Sequence, residues 1–284
     1  MGVQGIRVVT DVSSELTKET LDELKITLVP GYINEGDESV LFDGHNLDRV
    51  RFYNELKDKD PLPATAAPAP GIVQEILDKL SEEAEHLVLI TLPRNLSAYQ
   101  ESFRLGSEHL PEDRVTLIDS GTVGSSQDTQ VLAAAETAQA GDGLEDVLAA
   151  ITRARSNTVS AAALSTMENL RRSGRVNMAQ AGLATLLQIK PILEVVDGEV
   201  VTHARVRTFR KARLELLRML KEEGPFERLV VEHANNEGDA NWLAEQAADL
   251  VTGTTHIGLI SPILGTHLGQ GALGYTGLKT GWRD

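Results

Sequence analysis

Five short stretches of this chain, three loops and two basic clusters, hold residue types able to grip a small anion. In Pro61-Leu-Pro-Ala-Thr-Ala-Ala-Pro-Ala-Pro70, four prolines fix φ and stiffen the backbone around one hydroxyl, Thr65. Such a segment presents that hydroxyl and nearby N–H groups, including that of Ala66, to carboxylate oxygens, with a helix dipole added near Gly71; the plain alternative is a rigid connector. In Thr91-Leu-Pro-Arg-Asn-Leu-Ser97, the Arg94 guanidinium can fork onto a carboxylate or phosphate with Asn95 and Ser97 beside it, or it can simply pair with a surface acid. Gly265-Thr-His-Leu-Gly-Gln-Gly-Ala-Leu-Gly274 lets backbone approach a ligand closely at Gly269 and Gly271 and offers His267 as a hydrogen-bonding group; the alternative is a bend at a sheet edge. The basic clusters Arg171, Arg172, Arg175 and Arg205, Arg207, Arg210, Lys211, Arg213 suit an acidic partner or a phosphate, or form a solvated face.

These stretches need elements to position them. Apolar strand-like runs alternate with amphipathic segments through the first third: strands at Ile6–Thr10, Ile26–Ile33, His86–Leu92 and Val115–Ile118, with helices between. Ser13 or Ser14, with Asp11, reads as the cap of a helix running to Leu24. The β-α-β-α-β-α-β order predicts a parallel, helix-covered sheet, whose ligands bind at the C-terminal ends of strands: at Asp11, near Thr65, at Thr91 and at Asp119. Helices are expected over 122–139, 143–155, 178–187, 209–222 and 237–250. A hairpin through Asp197-Gly198 joins Lys190–Val196 to Val200–Val206, Leu229–Val231 reads as a strand, and Ile257–Gly274 reads as Gly-rich and strand-like. A boundary near 158 divides the chain into 1–158 and 159–284.

Composition excludes much. The chain has 284 residues, 41% of them hydrophobic, enough for one large domain or two smaller ones. Without Cys there is no disulfide, thiolate metal site or thiol nucleophile. A net charge of −15 with 4% aromatics argues against nucleic-acid and anionic-membrane binding. The histidines lack metal-ligand spacing, and Gly-x-Ser-x-Gly and a P-loop are absent. With neither an apolar leader nor a spanning apolar run, the expected location is the cytoplasm.

The segments in order, Val9-Thr-Asp-Val-Ser-Ser14, Pro63–Gly71, Thr91–Gln100, Ile118-Asp-Ser-Gly121, Asn169–Val176, Leu186–Ile192, Arg205–Ala212 and Gly265–Gly274, resemble the DegV family, the fatty-acid-binding subunits of bacterial fatty acid kinase. The resemblance runs nearly end to end. It implies an N-terminal DegV-type parallel-sheet α/β domain bearing the headgroup loops, and a C-terminal α/β domain with a mixed sheet contributing acyl pocket and docking face. It implies a long-chain fatty acid held between them as ligand, with no cofactor, no metal and no catalysis by this chain. The carboxylate is presented to a separate kinase subunit, whose acyl phosphate product feeds phospholipid synthesis. The family's headgroup Thr falls on Thr65, its Ser pair on Pro93-Arg94 and its His on His267; Gly174-Arg175 and the later basic segment resemble its docking region, placing Arg172, Arg175, Arg207 and Lys211 there. The chain departs from the pattern at Thr65-Ala-Ala-Pro-Ala69, at Pro93-Arg94 and in a shortened Leu96-Ser-Ala-Tyr-Gln100, so hydroxyl donors are lost. An acyl tail of sixteen carbons supplies on the order of 10 kcal/mol, against about 1 kcal/mol per hydrogen bond. Tail binding is therefore expected to survive, with Arg94 compensating at the headgroup. The rival readings are a phosphotransferase-like enzyme of related fold, a carrier of another amphiphilic lipid, and a regulatory protein that has lost its ligand.

Overall fold

The structure is a computed structural model describing residues 5–56, 58–175 and 189–284; the helix expected over 178–187 lies outside them. Strands β1 (Ile6–Asp11), β2 (Thr27–Val29), β6 (His86–Thr91) and β7 (Val115–Asp119) form a parallel sheet in the order β2-β1-β6-β7. Every residue of β6 is buried, as a strand covered on both faces requires. The period of two sorts its side chains. Leu87 and Leu89 pack with Val73, Leu77 and Phe103 of α3 (Pro70–Ser81) and α4 (Tyr99–Ser107). Val88 and Ile90 pack with Val131, Ala134, Val147 and Ile151 of α5 (Ser125–Gln139) and α6 (Leu144–Ser156).

Three expectations are corrected here. The Ile26–Ile33 strand is two strands, because Pro30 has no N–H to continue the ladder. After it, β3 (Gly31–Glu35) turns away and pairs antiparallel with β4 (Glu38–Phe42) and β5 (Ala64–Ala66), so Thr65 sits within a small separate sheet and not at the end of a parallel strand. The first helix, α1, is Lys18–Glu23, capped by Thr17; Asp11 instead accepts from the N–H groups of Ser13 (3.0 Å) and Leu92 (2.7 Å), tying β1 to the loop after β6. Helix α2 (Arg49–Leu56) completes this half.

From Thr158 the chain enters a six-stranded mixed sheet ordered β10-β9-β8-β13-β11-β12. Its members are β8 (Thr158–Ala163), the hairpin β9 (Lys190–Val196) and β10 (Glu199–Val206), β11 (Phe226–His233), β12 (Val251–Leu259) and β13 (Leu273–Lys279). Helices α8 (Phe209–Glu223) and α9 (Glu237–Ala247) cover one face, burying Leu216, Leu220 and Leu243 against Ile192, Val231 and Tyr275. The strand-like reading of 257–274 is overturned. Pro262, favoured in a first helical turn, opens a short helix α10 (Pro262–Leu268) between β12 and β13. The short α7 (Glu168–Ser173) ends at Gly174, whose φ of +71° takes the left-handed conformation of a helix stop. No helix among the described residues is long and apolar enough to cross a membrane.

Candidate functional site

The second face of the mixed sheet is only partly covered by helix: α5 packs on it at Thr158 and Thr276, and α5 and α6 pack at Leu278, leaving the rest open. Register places Leu193, Ala162, Gly274 and Glu232 in one row across β9, β8, β13 and β11, with Ser160 and Thr276 paired alongside. Residues in register share a face, and here most of them are small. They floor a cavity of about 600 Å³, within the range of sites that enclose a small molecule. Pro68, Leu92 and Leu105 wall it from the parallel-sheet half, Val195 and Val200 from the hairpin, and Ile260, Ile263 and Leu264 from α10 and the turn before it. A Cβ on Gly274 would already lie 3.2 Å from the Ala161 carbonyl, so a larger residue there would have to extend into the cavity.

One end of the cavity is polar. Thr65, held by β5 against Ile33 of β3, places its Oγ1 2.9 Å from Nε2 of His267 in the last turn of α10. Burial drives the imidazole pKa down to about 4, and the nearby Arg175 charge adds to this; Nδ1 is buried without a hydrogen-bond partner among the described residues. Arg175 follows the left-handed Gly174 and borders the same cavity, with Nε 3.3 Å from the Leu96 carbonyl and Nη1 2.6 Å from that of Ser173. A hydroxyl, an imidazole and a guanidinium thus converge on an apolar space. That is a donor set for one carboxylate, whose arrival would reverse the pressure on His267 and favour its charged form.

The other residues singled out in the sequence fall elsewhere or act indirectly. Arg94 does not border this cavity. Its side chain is 73% exposed, and both Nε (3.3 Å) and its backbone N–H (3.2 Å) donate to Asp119, turning it toward a second, wider cavity beside the first. Asn95 lines that second cavity and lies 3.4 Å from Glu199 of the hairpin. Ala66 and Ser97 do border the apolar cavity. Gly269 and Gly271, at φ +76° and +82°, sit where a side chain would strike Asn169 and Ser165. With Asn169 donating to the Thr266 carbonyl (3.0 Å) and Ser165 to that of Gly271 (3.0 Å), they lock α10 against α7 and so hold His267 in place without touching the cavity. Arg172 pairs with Glu168 at 2.6 Å, while Arg207 and Lys211 are exposed around the start of α8.

Sequence reasoning passed over a group of buried acids between the two sheets. Glu15 pairs with Arg49 (2.7 Å) and accepts from the Ser261 N–H (2.6 Å). Asp128 accepts from the Glu15 N–H (2.8 Å), and Ser125 Oγ donates to Glu232 (2.7 Å). Burial, with the like charges close by, pushes Asp128 and Glu232 each up to about 8. The signal for Glu232 was an acid continuing the apolar run Leu229–Val231 at a position that the two-residue period puts on the cavity face.

Comparison with known proteins bears on the whole chain. The family model described as an uncharacterised protein of the DegV family matches residues 5–279. A DegV domain-containing protein of Listeria monocytogenes is 31% identical over 277 residues, covering 95% of this chain and 97% of the relative. Among solved structures, a DegV family protein from Thermus thermophilus, described for its fatty acid binding, superposes with a TM-score of 0.87 at 27% identity, covering 96% of this chain and 98% of that one. DegV from Bacillus subtilis, described as a fatty acid binding protein, gives 0.84 at 26% identity, with 96% and 98% covered.

Proposed function

The chain belongs to the DegV family, and from that premise we propose that it binds a long-chain fatty acid in the cavity between its two sheets. The carboxylate is held by Thr65, His267 and Arg175, with Ala66 and Ser97 in support. The observation that carries this reading is the meeting of the Thr65–His267 pair and Arg175 at one end of an otherwise apolar cavity of about 600 Å³. The binding described for the Thermus and Bacillus proteins supports it. Burial of an acyl tail, on the order of 10 kcal/mol before costs, supplies the affinity; the polar end sets which way round the ligand lies.

The finer reading is also a proposal. The chain acts as a carrier in the cytoplasm, without cofactor or chemistry of its own. It presents the carboxylate to a kinase subunit that docks near Arg172, Arg175, Arg207 and Lys211. Residues 1–158 supply Thr65, Ala66 and Ser97 to the headgroup end, and 159–284 supply His267, Arg175 and the sheet under the tail. Arg175, not Arg94, is the cation we assign to the carboxylate.

The deciding experiment is extraction of the purified protein with organic solvent and mass spectrometry of what is released. A stoichiometric fatty acid is expected. A different amphiphile would replace the ligand while keeping the site. No lipid, together with no binding of added fatty acid, would overturn the proposal. Incubation with ATP and fatty acid in the absence of a partner is expected to give no acyl phosphate.

A further inference from the structure

The cavity has a second polar spot that a carboxylate at His267 leaves unused. Glu232 stands on the cavity face of the mixed sheet, in the row with Gly274 and Ala162. One oxygen accepts from Ser125 Oγ at 2.7 Å, and the side chain borders the cavity. Burial pushes its pKa up to about 8, which favours the protonated carboxyl, an O–H donor as well as an acceptor. Ser126 and Thr276, their hydroxyls 3.2 Å apart, line the cavity too, with Ser160 on the adjoining strand.

This spot is distinct from the carboxylate end. The charge that bears on His267 is Arg175, whereas those bearing on Glu232 are Glu15, Asp128 and Arg49. Ser261, whose N–H is bound by Glu15, precedes His267 by six residues, about 9 Å at the helical rise of about 1.5 Å per residue. A ligand anchored at His267 shares its cavity with Glu232, so a tail laid along the sheet floor can reach it. A plain polymethylene chain offers that carboxyl nothing, and a buried polar group left without a partner is costly. An oxygen on the chain would meet both its donor and its acceptor.

Building on the fatty-acid reading, we propose that this cavity selects an acyl chain carrying a single oxygen function along its tail, a hydroxy fatty acid, docked on Glu232. The test is titration calorimetry of octadecanoic acid and a positional series of hydroxyoctadecanoic acids against the wild-type chain, Glu232→Gln and Glu232→Leu. At least one mid-chain isomer should bind the wild type about five-fold or more tighter than octadecanoic acid, the equivalent of one net hydrogen bond. Glu232→Gln should keep that preference. Glu232→Leu should lose it and bind octadecanoic acid more tightly than the wild type does. If octadecanoic acid binds the wild type and no isomer binds better, the selection is refuted and the fatty-acid reading stands. If neither class binds, the fatty-acid reading falls and this one with it. Should Glu232→Leu not fold, the wild-type comparison and Glu232→Gln still decide.

Discussion

The two polar spots of the cavity were built in different ways. At one, Thr65 comes from a small antiparallel sheet, His267 from a seven-residue helix and Arg175 from the residue after a left-handed glycine. Each is delivered by a short element, and each belongs to a segment noticeable in the sequence for its Pro, Gly or Arg content. At the other, Glu232 belongs to an eight-residue strand that runs in unbroken register from Arg228 onward, and it is aimed by its pairing with Gly274. Irregular backbone brings unlike donors from distant segments to one point; a strand adds one side chain at a fixed place along a path. The first suits a headgroup and the second suits a tail.

The sharpest way to break that comparison is to separate the two spots. Gly274→Leu fills the floor beside Glu232; excluding about four methylenes at about 0.8 kcal/mol each should weaken fatty-acid binding roughly 200-fold. Circular dichroism should show the fold retained with a modest loss of thermal stability, because the side chain extends into the cavity while its Cβ crowds the Ala161 carbonyl (3.2 Å) and the Ala162 Cβ (3.3 Å). Next, removing two donors at the first spot in Thr65→Val combined with His267→Ala should cost at least about ten-fold in affinity for a fatty acid, the lower bound set by a single hydrogen bond to a charged group. The methyl ester should be affected far less, and calorimetry with both ligands separates headgroup from tail. Smaller again, Arg175→Ala should weaken fatty-acid binding by about five-fold, while Arg94→Ala should stay within about two-fold, since an exposed pair with Asp119 contributes little. The reverse order would return the carboxylate to Arg94.

The smallest expected effect is on pH dependence. Asp128 and Glu232 have folded pKa values of about 8, well above their ordinary carboxylate values, so the folded chain binds protons that the unfolded chain releases. Their contribution is complete below about pH 4 and is lost as pH rises toward 8. His267 runs the other way. Lowered from 6.5 to about 4, it contributes above pH 6.5 and ceases to do so as pH falls through 4. Between pH 6.5 and 8 the buried acids dominate the slope, with Asp11 and Glu15 also raised by burial, and stability should decline. Urea unfolding of Asp128→Asn should show a shallower decline over that window than the wild type.

Much of the architecture was legible because the pattern of burial leaves a plain record in residue type and period. The His86–Thr91 run, the Asp197-Gly198 hairpin and the amphipathic 209–223 helix could each be read from residue type and period. The misreadings share a cause. Pro30 split one apolar run between two sheets, and Gly-rich 257–274 hid a helix, because in both places one or two residues outweighed the local pattern. Thr65, Arg94 and His267 were noticed together for their chemistry and for the family resemblance, but nothing in local spacing says that Asp119 turns Arg94 outward while Gly174 leaves Arg175 at the cavity.

The sequence by itself determined that strands and helices alternate, that the first half makes a parallel sheet, that cysteine chemistry is absent, and which segments carry anion-binding groups. These follow from periodicity and composition, which act over a few residues. Tertiary structure alone decided that Thr65 and His267, 202 positions apart, lie 2.9 Å from each other. It also decided that a row of small residues floors a cavity instead of packing under a helix, and that Glu232 faces into it. The physical reason is that these are properties of register and of sheet-to-sheet placement. Both are set by the sum of many distant contacts, and no single residue records them.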